Sequence, residues 1–375
     1  MQGKSFFFAG GGTGGHIYPA VAVAEQIIKL EPEARIHFFC SNRDIDAKIL
    51  SGTDFSYTAL PAQGFSIKPG KLINFCTSFF ASCRIANEVI GETENVIVTG
   101  IGGFVAAPAC YSAQKLKIPV ALLNVDIVPG RANKVIGHWA DEIFVQFEDT
   151  AEYFAKSKAR VSVVGCPVRS GFSKPEPGEI RVKLGLDDTK KTLLITGASS
   201  GSENINEAVC SLLEKLDSFG GDWQIVHLAG MANFEKVQGQ YSKAKVGHKV
   251  LAYCDDMAKL LSITDLVIGR SGAVSVAEYA AAGVPSICMP YPYHKDRHQY
   301  LNAGKLVEAG AGIIVDDLPD ATERAEWLWE ELDELLKNDE KRGEMRESCE
   351  KLGGKDAALK IAERLLEMAG TAARV

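Results

Sequence analysis

AGGGTGGH, residues 9–16, is the stretch that decides the fold, because an apolar run precedes it and an amphipathic helix pattern follows it. A strand that turns through glycines into a helix leaves backbone N–H groups unpaired, and such groups attract an anion. The stretch therefore predicts a phosphate site, with His16 at the helix start. It also satisfies G-x-G-x-x-G, but a dinucleotide site needs an acidic residue after the second strand. Ser41 and Asn42 follow that strand instead, which argues against NAD.

Composition limits the class of protein. With 375 residues, 46% of them hydrophobic and 24% charged, the chain has the make-up of a soluble globular protein of two domains. A net charge of -7 without a dense Lys/Arg run argues against a nucleic-acid partner. Nine cysteines without a C-x-x-C motif indicate reduced thiols and the cytosol, and no metal cluster is expected. No segment reaches the ~18 apolar residues of a membrane span, so any membrane contact is expected to be peripheral.

Short apolar segments alternate with helical patterns along the whole chain, which is typical of doubly wound parallel sheets. The segments predicted as strands are 5–9, 35–40, 95–99, 119–123, 142–147, 161–164, 192–196, 224–228, 248–252, 265–269 and 285–289. The series restarts at residues 192–202, where a second strand runs into a glycine loop. The stretch 165–178 between the two halves is predicted to be a crossing between domains. The expected fold class is α/β, with Rossmann-like domains at 1–166 and 167–354 that face a cleft. A terminal helix at 355–375, with Leu359, Ala362, Leu365 and Leu366 on its apolar face, is expected to dock on the first domain.

In the second half of the chain, residues 265–278 give the clearest indication of a binding site. A strand ends at Gly269, Ser271 is a good helix cap, and the amides of residues 273–275 would face a diphosphate. At ~1.5 Å of rise per residue, Glu278 lies roughly 6 Å further along, which suits the ribose hydroxyls. The bland alternative is an ordinary glutamate on a solvated helix face.

A polar loop follows the next strand. Asp296, His298 and Gln299 are suited to sugar hydroxyls, and loops at the carboxyl end of a parallel sheet line ligand crevices. A rigid polar loop without a ligand is the alternative.

Taken in order, these motifs resemble the MurG family, the N-acetylglucosaminyltransferases that act on N-acetylmuramyl-pentapeptide pyrophosphoryl-undecaprenol in bacterial cell-wall synthesis. The resemblance covers nearly the whole chain, and it is specific in combination. The residues that carry it are Gly11 to His16 with Pro19; Gly100, Gly102 and Gly103 with Pro108; Pro129 and Gly130 with Asn133; Gly165 with Pro167, Val168 and Arg169; Gly197, Ser199 and Gly201 with Asn206; Arg270 to Ala273 with Glu278; and His298 and Gln299 with Asn302.

The resemblance implies a GT-B fold and an inverting transfer from UDP-N-acetylglucosamine to the lipid-linked acceptor, lipid I, with no cofactor. It implies that the second domain holds UDP, and the matching donor residues are Ser199, Tyr253, Cys254, Arg270, Ala273, Val274, Ser275, Glu278, His298 and Gln299. The remaining substrate-binding residues carried over are Thr13, Gly14, Gly15, Asn133 and Arg169, of which Thr13 and Asn133 belong to the acceptor side together with His16.

The departures from the family pattern cluster in the acceptor half. The chain has Leu-Asn-Val-Asp at 123–126 where the family usually has His-Glu-Gln-Asn, and Phe104, Ala106 and Cys166 replace a tyrosine, a small polar residue and an asparagine. The resemblance therefore supports UDP-N-acetylglucosamine as the donor better than it supports lipid I as the acceptor. A paralogous transferase with another acceptor, a UDP-sugar epimerase and a non-catalytic UDP-sugar-binding protein remain alternatives.

Two expectations concern catalysis and the membrane. A helix dipole with aligned amides can stabilise the leaving UDP without a metal, and His16, with Asp126 as runner-up, is the candidate base for the acceptor hydroxyl. A purely structural role of His16 in the glycine loop is the alternative. Cations and large apolar residues at 68–84 suit an anionic membrane surface, or else the buried face of a helix at 73–90. The expected location is the cytoplasmic face of the cell membrane, by peripheral contact.

Overall fold

The computed structural model describes residues 3–12, 14–66, 68–172, 177–198, 201–352, 354 and 356–372. Thr13, Ser199 and residues 173–176 of the predicted crossing lie outside the described residues. The chain divides into two compact units: unit 1 comprises Met1–Arg169 and Asp356–Val375, and unit 2 comprises Ser170–Lys355. The nine cysteines all lie among the described residues, and none of them forms a disulfide.

Unit 1 is built on a parallel sheet of seven strands in the order β3-β2-β1-β4-β5-β6-β7. Strand β1 lies inside the sheet and is fully buried, and its Phe8 stacks on Phe38 of β2 with ring centroids 5.3 Å apart. The strands are β1 (Ser5–Gly10), β2 (Arg35–Ser41), β3 (Ser56–Leu60), β4 (Val96–Gly102), β5 (Val120–Asn124), β6 (Glu142–Val145) and β7 (Arg160–Val163).

Seven helices belong to the described part of unit 1: α1 (Gly14–Leu30), α2 (Asp44–Ser51), α3 (Pro69–Gly91), α4 (Gly103–Lys115), α5 (Arg131–Ile136), α6 (Glu148–Ala151) and α16 (Ala357–Ala372). The last of these, α16, packs on α1, and its Arg364 forms an ion pair at 2.9 Å with the buried Glu142 of β6. The expected apolar face of α16 is partly wrong, because Leu359 is exposed whereas Ile361, Ala362 and Leu365 are buried.

Unit 2 has a parallel sheet of six strands in the order β10-β9-β8-β11-β12-β13. The strands are β8 (Lys191–Thr196), β9 (Trp223–Leu228), β10 (Gly247–Leu251), β11 (Leu266–Gly269), β12 (Ser286–Cys288) and β13 (Gly312–Ile314). The helices are α7 (Pro177–Leu184), α8 (Glu203–Ser211), α9 (Leu213–Leu216), α10 (Phe234–Tyr241), α11 (Met257–Ser262), α12 (Ala273–Ala282), α13 (His298–Glu308), α14 (Ala321–Lys337) and α15 (Asp339–Lys351).

The α/β prediction of two doubly wound parallel sheets is confirmed. In each sheet the strand order reverses at one place, between β1 and β4 in unit 1 and between β8 and β11 in unit 2. Ligands of open α/β sheets bind outside the carboxyl ends of the strands at such a switch point. The glycine turns after β1, β4, β8 and β11 all lie there, two in each unit.

The strands β3 and β13 were not predicted. Both lie at a sheet edge, where one side of the strand has no partner. β3 is mostly exposed and β13 has only three residues, so neither produces the buried apolar run that marks a strand in sequence. Among the described helices, none is long and apolar enough to cross a membrane.

Candidate active site

The first glycine turn is held by a carboxylate from α2. Asp46 is fully buried, and its two oxygens accept the N–H of Gly12 at 3.0 and 2.8 Å. The same carboxylate accepts the backbone N–H of Ser41 at 3.0 Å and the hydroxyl of Ser41 at 2.6 Å. The expectation that the turn leaves its amides for an external anion is therefore wrong for Gly12, because the side chain of Asp46 already accepts that N–H.

The position of the Asp46 carboxylate also explains why residue 11 is a glycine. A Cβ built on Gly11 would lie 2.3 Å from Oδ2 of Asp46 and 2.9 Å from the backbone nitrogen of Ser41, so no side chain fits there. Arg43 closes the turn from the other side, since its guanidinium donates to the carbonyl of Gly12 at 2.8 Å. The turn is thus fixed by β2 and α2 before any ligand arrives.

His16 lies in the first turn of α1, and its tautomer follows from its partner. Nδ1 is 3.2 Å from the carbonyl oxygen of Gly11, and a carbonyl can only accept, so Nδ1 carries the proton. In the neutral ring Nε2 then has the free lone pair. A Cβ on Gly102, where φ is +144°, would lie 2.9 Å from Nε2, so the turn after β4 passes directly against the imidazole.

The structure brings a second predicted residue to the same turn. Asn133 of α5 is buried, and its Oδ1 would lie 3.4 Å from a Cβ on Gly102. Its Nδ2 donates to Asn124 at 2.9 Å and to the carbonyl of Ile101 at 3.3 Å, while Oδ1 has no hydrogen-bond partner among the described residues. His16 and Asn133 therefore both border the space in front of Gly102.

Asn124 and Asp126 belong to the segment that departs from the family pattern. Asn124 is buried, accepts from Asn133, and donates its Nδ2 to the carbonyl of Asp126 at 2.6 Å. Asp126 itself is half-buried in the loop between β5 and α5. Asn124 thus links the backbone of Asp126 to the side chain of Asn133 by hydrogen bonds.

Arg169 ends the first chain segment of unit 1 and stacks on Tyr18 of α1, with its guanidinium carbon 4.2 Å from the ring centroid. Tyr18 in turn lies against Gly14, where a Cβ would lie 3.0 Å from the ring. The structure therefore places Arg169 on Tyr18, which follows His16 by two residues in α1 and lies beside the first glycine turn. Sequence reasoning did not select Tyr18, because an aromatic residue inside a helix pattern is ordinarily part of the core.

In unit 2, α12 begins without a side-chain cap. Its cap residue is Gly272, so the prediction that Ser271 caps the helix is wrong. The Ser271 hydroxyl is fully buried and has no hydrogen-bond partner among the described residues. Gly272 has no side chain that could accept a hydrogen bond from the first-turn amides of Ala273, Val274 and Ser275. A helix start of this kind attracts an anion.

Glu278 lies on the same helix and is only 7% exposed. A glutamate on a solvated helix face would be largely exposed, so the bland alternative for Glu278 is rejected. A buried carboxylate is retained only where it has polar partners.

Arg270 follows β11 and is buried, with its donors directed inside unit 2. It donates to the carbonyl of Met289 at 2.8 Å and to the Ser202 hydroxyl at 2.7 Å, and it lies 2.8 Å from Oδ2 of Asp317. Ser202 is the N-cap of α8 and accepts the N–H of Ile205. Arg270 therefore ties the turn after β11 to the end of the second glycine loop.

A neutral histidine helps to hold α8, the helix that follows that loop. His227 of β9 is hydrogen-bonded at 3.0 Å to both Tyr241 and Asn206, and burial lowers the pKa of His227 to about 3. The ring is therefore uncharged at neutral pH. Asn206 also donates to the carbonyl of Ala229 at 2.9 Å, which holds α8 against β9.

The remaining predicted donor residues lie in loops at the carboxyl edge of the sheet of unit 2. Tyr253 and Cys254 are half-buried after β10. Gln299 is in the first turn of α13, where its Oε1 accepts the N–H of Tyr291 at 3.0 Å, and His298 begins the helix.

Known proteins resemble both units. A family model described as the glycosyltransferase family 28 N-terminal domain matches residues 6–145, and one described as the family 28 C-terminal domain matches residues 192–364. The chain is 33% identical to a protein of Caldanaerobacter subterraneus subsp. tengcongensis over 95% of this chain and 97% of that protein. It is 34% identical to a protein of Oenococcus oeni over 96% of each. Both are named UDP-N-acetylglucosamine--N-acetylmuramyl-(pentapeptide) pyrophosphoryl-undecaprenol N-acetylglucosamine transferase.

Solved structures agree. MurG from Acinetobacter baumannii superposes with a TM-score of 0.71 at 25% identity, covering 97% of this chain and 99% of that one. A UDP-GlcNAc 2-epimerase from Neisseria meningitidis bound to UDP-GlcNAc gives a TM-score of 0.70 at 16% identity, covering 97% and 99%, which is a likeness of fold alone.

Two Rossmann-like units, each with glycine turns at its switch point, define a glycosyltransferase of the GT-B fold. Identity above 30% over nearly the whole length narrows this class to one family. The chain belongs to the MurG family of glycosyltransferase family 28.

Removal of the Asp46 carboxylate is expected to destabilise the protein. In Asp46→Ala the buried N–H groups of Gly12 and Ser41 lose their acceptor, which costs about 2–5 kcal/mol of unfolding free energy. Urea denaturation followed by circular dichroism measures the change. Asp44→Ala, an exposed carboxylate on the same helix, is the control and is expected to cost less than about 1 kcal/mol. If Asp46→Ala and the unmodified protein have the same free energy of unfolding, the glycine turn does not depend on the Asp46 side chain.

Proposed function

We propose that the chain transfers N-acetylglucosamine from UDP-N-acetylglucosamine to lipid I, the undecaprenyl-pyrophosphoryl N-acetylmuramyl-pentapeptide, and so forms lipid II. The observation that carries this proposal is the start of α12. There the helix begins without a side-chain cap, the buried Ser271 hydroxyl has no hydrogen-bond partner in the part of the chain that the structure describes, and the buried Glu278 follows. These groups suit a diphosphate followed by a ribose. The names of the relatives supply the sugar and the acceptor.

The donor half of the reaction needs charge stabilisation. As the bond between the anomeric carbon and the diphosphate breaks, negative charge develops on UDP. Amides at the start of α12 and the helix dipole stabilise that charge, because they are already oriented before the reaction begins. This electrostatic device does the work for which other transferases use a divalent cation.

The acceptor half needs a base. The acceptor hydroxyl gives its proton to Nε2 of His16 while its oxygen bonds to the anomeric carbon on the face opposite the leaving UDP, which inverts the configuration. Nε2 of the neutral ring suits this role because the hydrogen bond from Nδ1–H to the carbonyl of Gly11 keeps the single ring proton on Nδ1. Asp126 is the second candidate, since it ends the hydrogen-bonded segment that leads to Asn133.

The experiment that tests the function is UDP release. Purified protein with UDP-N-acetylglucosamine is expected to release UDP only when lipid I is added, and to do so equally well with EDTA. UDP release that requires magnesium or manganese contradicts the metal-free step. Formation of an epimer without acceptor shows a UDP-sugar epimerase instead, and binding without turnover shows a non-catalytic binding protein. Release with another acceptor alone shows a paralogous transferase.

A surface on α3 supports peripheral membrane contact. Ile73 is 64% exposed and Phe80 67% exposed, and Lys71 and Arg84 are exposed on the same helix. The alternative of a buried helix face fails for these side chains. Large apolar groups beside cations suit an anionic bilayer surface, and a prenyl-linked acceptor is found at such a surface. We propose on this basis that the protein contacts the cell membrane peripherally, at its cytoplasmic face.

Loss of the Glu278 carboxylate is expected to weaken UDP binding. If the carboxylate accepts the ribose hydroxyls in a desolvated site, Glu278→Ala costs about 1–3 kcal/mol, which is roughly 5- to 150-fold in Kd. Calorimetric titration with UDP measures it. The control is Glu214→Ala on α9, an exposed glutamate of the same unit, which is expected to leave the Kd unchanged. A folded Glu278→Ala protein with the original Kd contradicts the ribose contact.

Replacement of His16 is expected to slow turnover without loss of donor affinity. As the base, His16 contributes ~100-fold or more, whereas UDP is held by unit 2. Steady-state kinetics with lipid I, together with the UDP titration, separate the two quantities. If His16→Ala keeps its kcat and only raises the KM for the acceptor, His16 positions the acceptor and Asp126 is the next residue to replace.

The membrane surface is tested by vesicle sedimentation. The double variant Ile73→Ser with Phe80→Ser loses two exposed apolar side chains, each worth about 1.5–3 kcal/mol when buried, so binding to anionic vesicles is expected to fall at least about tenfold. Val182→Ser in unit 2 removes an equally exposed side chain and is expected to have no effect. Unchanged sedimentation of the double variant contradicts the assignment of this surface.

A further inference from the structure

The loop that connects β12 to α13 gathers two histidines and a carboxylate. His294, Asp296 and His298 offer one ligand atom each, and these atoms all lie within 4.8 Å of one another. We propose that this group binds one Zn²⁺ through His294 and His298, with Asp296 orienting His298, and that the bound ion competes with the donor sugar. The family pattern gives His298 a role toward the sugar, but it assigns nothing to His294.

A tight turn brings the two histidines together. The N–H of Arg297 donates to the carbonyl of His294 at 3.0 Å, and Arg297 has left-handed φ and ψ of 49° and 27°. A residue other than glycine or asparagine adopts this conformation at a cost, so the surrounding contacts must hold it. The turn folds His294 back over His298, and the two rings stack with centroids 4.4 Å apart and planes inclined by 28°.

The hydrogen bonds fix which nitrogen faces the partner ring. Oδ1 of Asp296 lies 2.7 Å from Nδ1 of His298, and a carboxylate only accepts, so Nδ1 carries the proton. Nε2 of His298 then presents its lone pair to Nδ1 of His294, 3.1 Å away. Two nitrogens on a tetrahedral Zn²⁺ lie about 3.3 Å apart. The pair is therefore close to metal-binding geometry. To bind the ion, His294 takes the tautomer that carries its proton on Nε2, which leaves the Nδ1 lone pair for Zn²⁺ with no net loss of a proton.

The carboxylate suits the supporting role. Oδ1 of Asp296 accepts the Nδ1–H of His298 at 2.7 Å and its backbone N–H at 3.4 Å. A carboxylate that is hydrogen-bonded behind a ligating histidine strengthens zinc binding. Imidazole ligands favour Zn²⁺ over Mg²⁺, and because His294 is exposed, water completes the coordination.

The expected consequence is competition with the donor, a step that rests on the proposed function. His298 and the adjacent Gln299 are the residues proposed to hold the sugar. An ion on Nε2 of His298 removes that nitrogen from the sugar and places a hydrated cation at the loop. By linkage, Zn²⁺ and UDP-N-acetylglucosamine must weaken each other by the same factor.

The site is tested on the full chain by Zn²⁺ titration against a chromophoric chelator. The unmodified protein is expected to bind one ion at the loop, and Mg²⁺ in excess should not displace it. His294→Ala is expected to lower the affinity more than about tenfold, and Asp296→Asn about 10- to 100-fold. The matched control is His248→Ala, an exposed histidine elsewhere in unit 2, which should bind normally. Equal affinity in His294→Ala and the unmodified protein overturns the site, because an ion held by the exposed thiol of Cys76 would survive that change.

The competition has its own readout. The Kd of UDP-N-acetylglucosamine is expected to rise at least about tenfold in saturating Zn²⁺, and the rise should disappear in His294→Ala. A Kd that does not respond to Zn²⁺ overturns the competition. If the chain transfers no sugar, the chelator titration still reports on the metal site, so the two failures are distinguishable.

Discussion

Backbone amides at glycine turns need a partner, and the two units satisfy this constraint in different ways. Each sheet gathers the carboxyl ends of its central strands at a switch point, and each of those strands leads into a glycine-containing turn. In unit 1 the buried carboxylate of Asp46 takes the Gly12 amide. In unit 2 the cap of α12 is a glycine without a side chain, and the nearby Ser271 hydroxyl has no partner among the described residues. The glycine turn of unit 1 is therefore held by an internal contact, whereas the turn before α12 in unit 2 is suited to a ligand.

This difference supports the proposed placement of the two substrates. A turn whose amide is already bonded to an internal carboxylate is held in place and presents side chains, which suits the proposed role of His16 and Asn133 beside Gly102. A helix start that lacks a side-chain cap suits the diphosphate of a nucleotide sugar. The rigidity of the second site comes from Arg270, which joins the turn after β11 to the N-cap of α8 and to Asp317. Buried, hydrogen-bonded charge of this kind fixes geometry before the ligand binds.

Much of this was visible in the sequence, for physical reasons. Every apolar segment predicted as a strand forms one, because a buried parallel strand needs a continuous apolar run. The sequence could not show Asp46, since a carboxylate that bonds an amide 34 residues away leaves no local pattern. For the same reason it missed the internal partners of Arg270. It favoured Ser271 as a cap on side-chain chemistry alone, whereas the backbone begins the helix one residue later.

The central claim is that the nucleotide binds at the switch point of unit 2 and not at that of unit 1. A crystal structure of the chain with UDP tests it directly. We expect the diphosphate at the amides of Ala273, Val274 and Ser275, and the ribose hydroxyls within hydrogen-bonding distance of Glu278. Density for the diphosphate on the amides of Gly14 and Gly15 would contradict it, because the turn held by Asp46 would then be the nucleotide site.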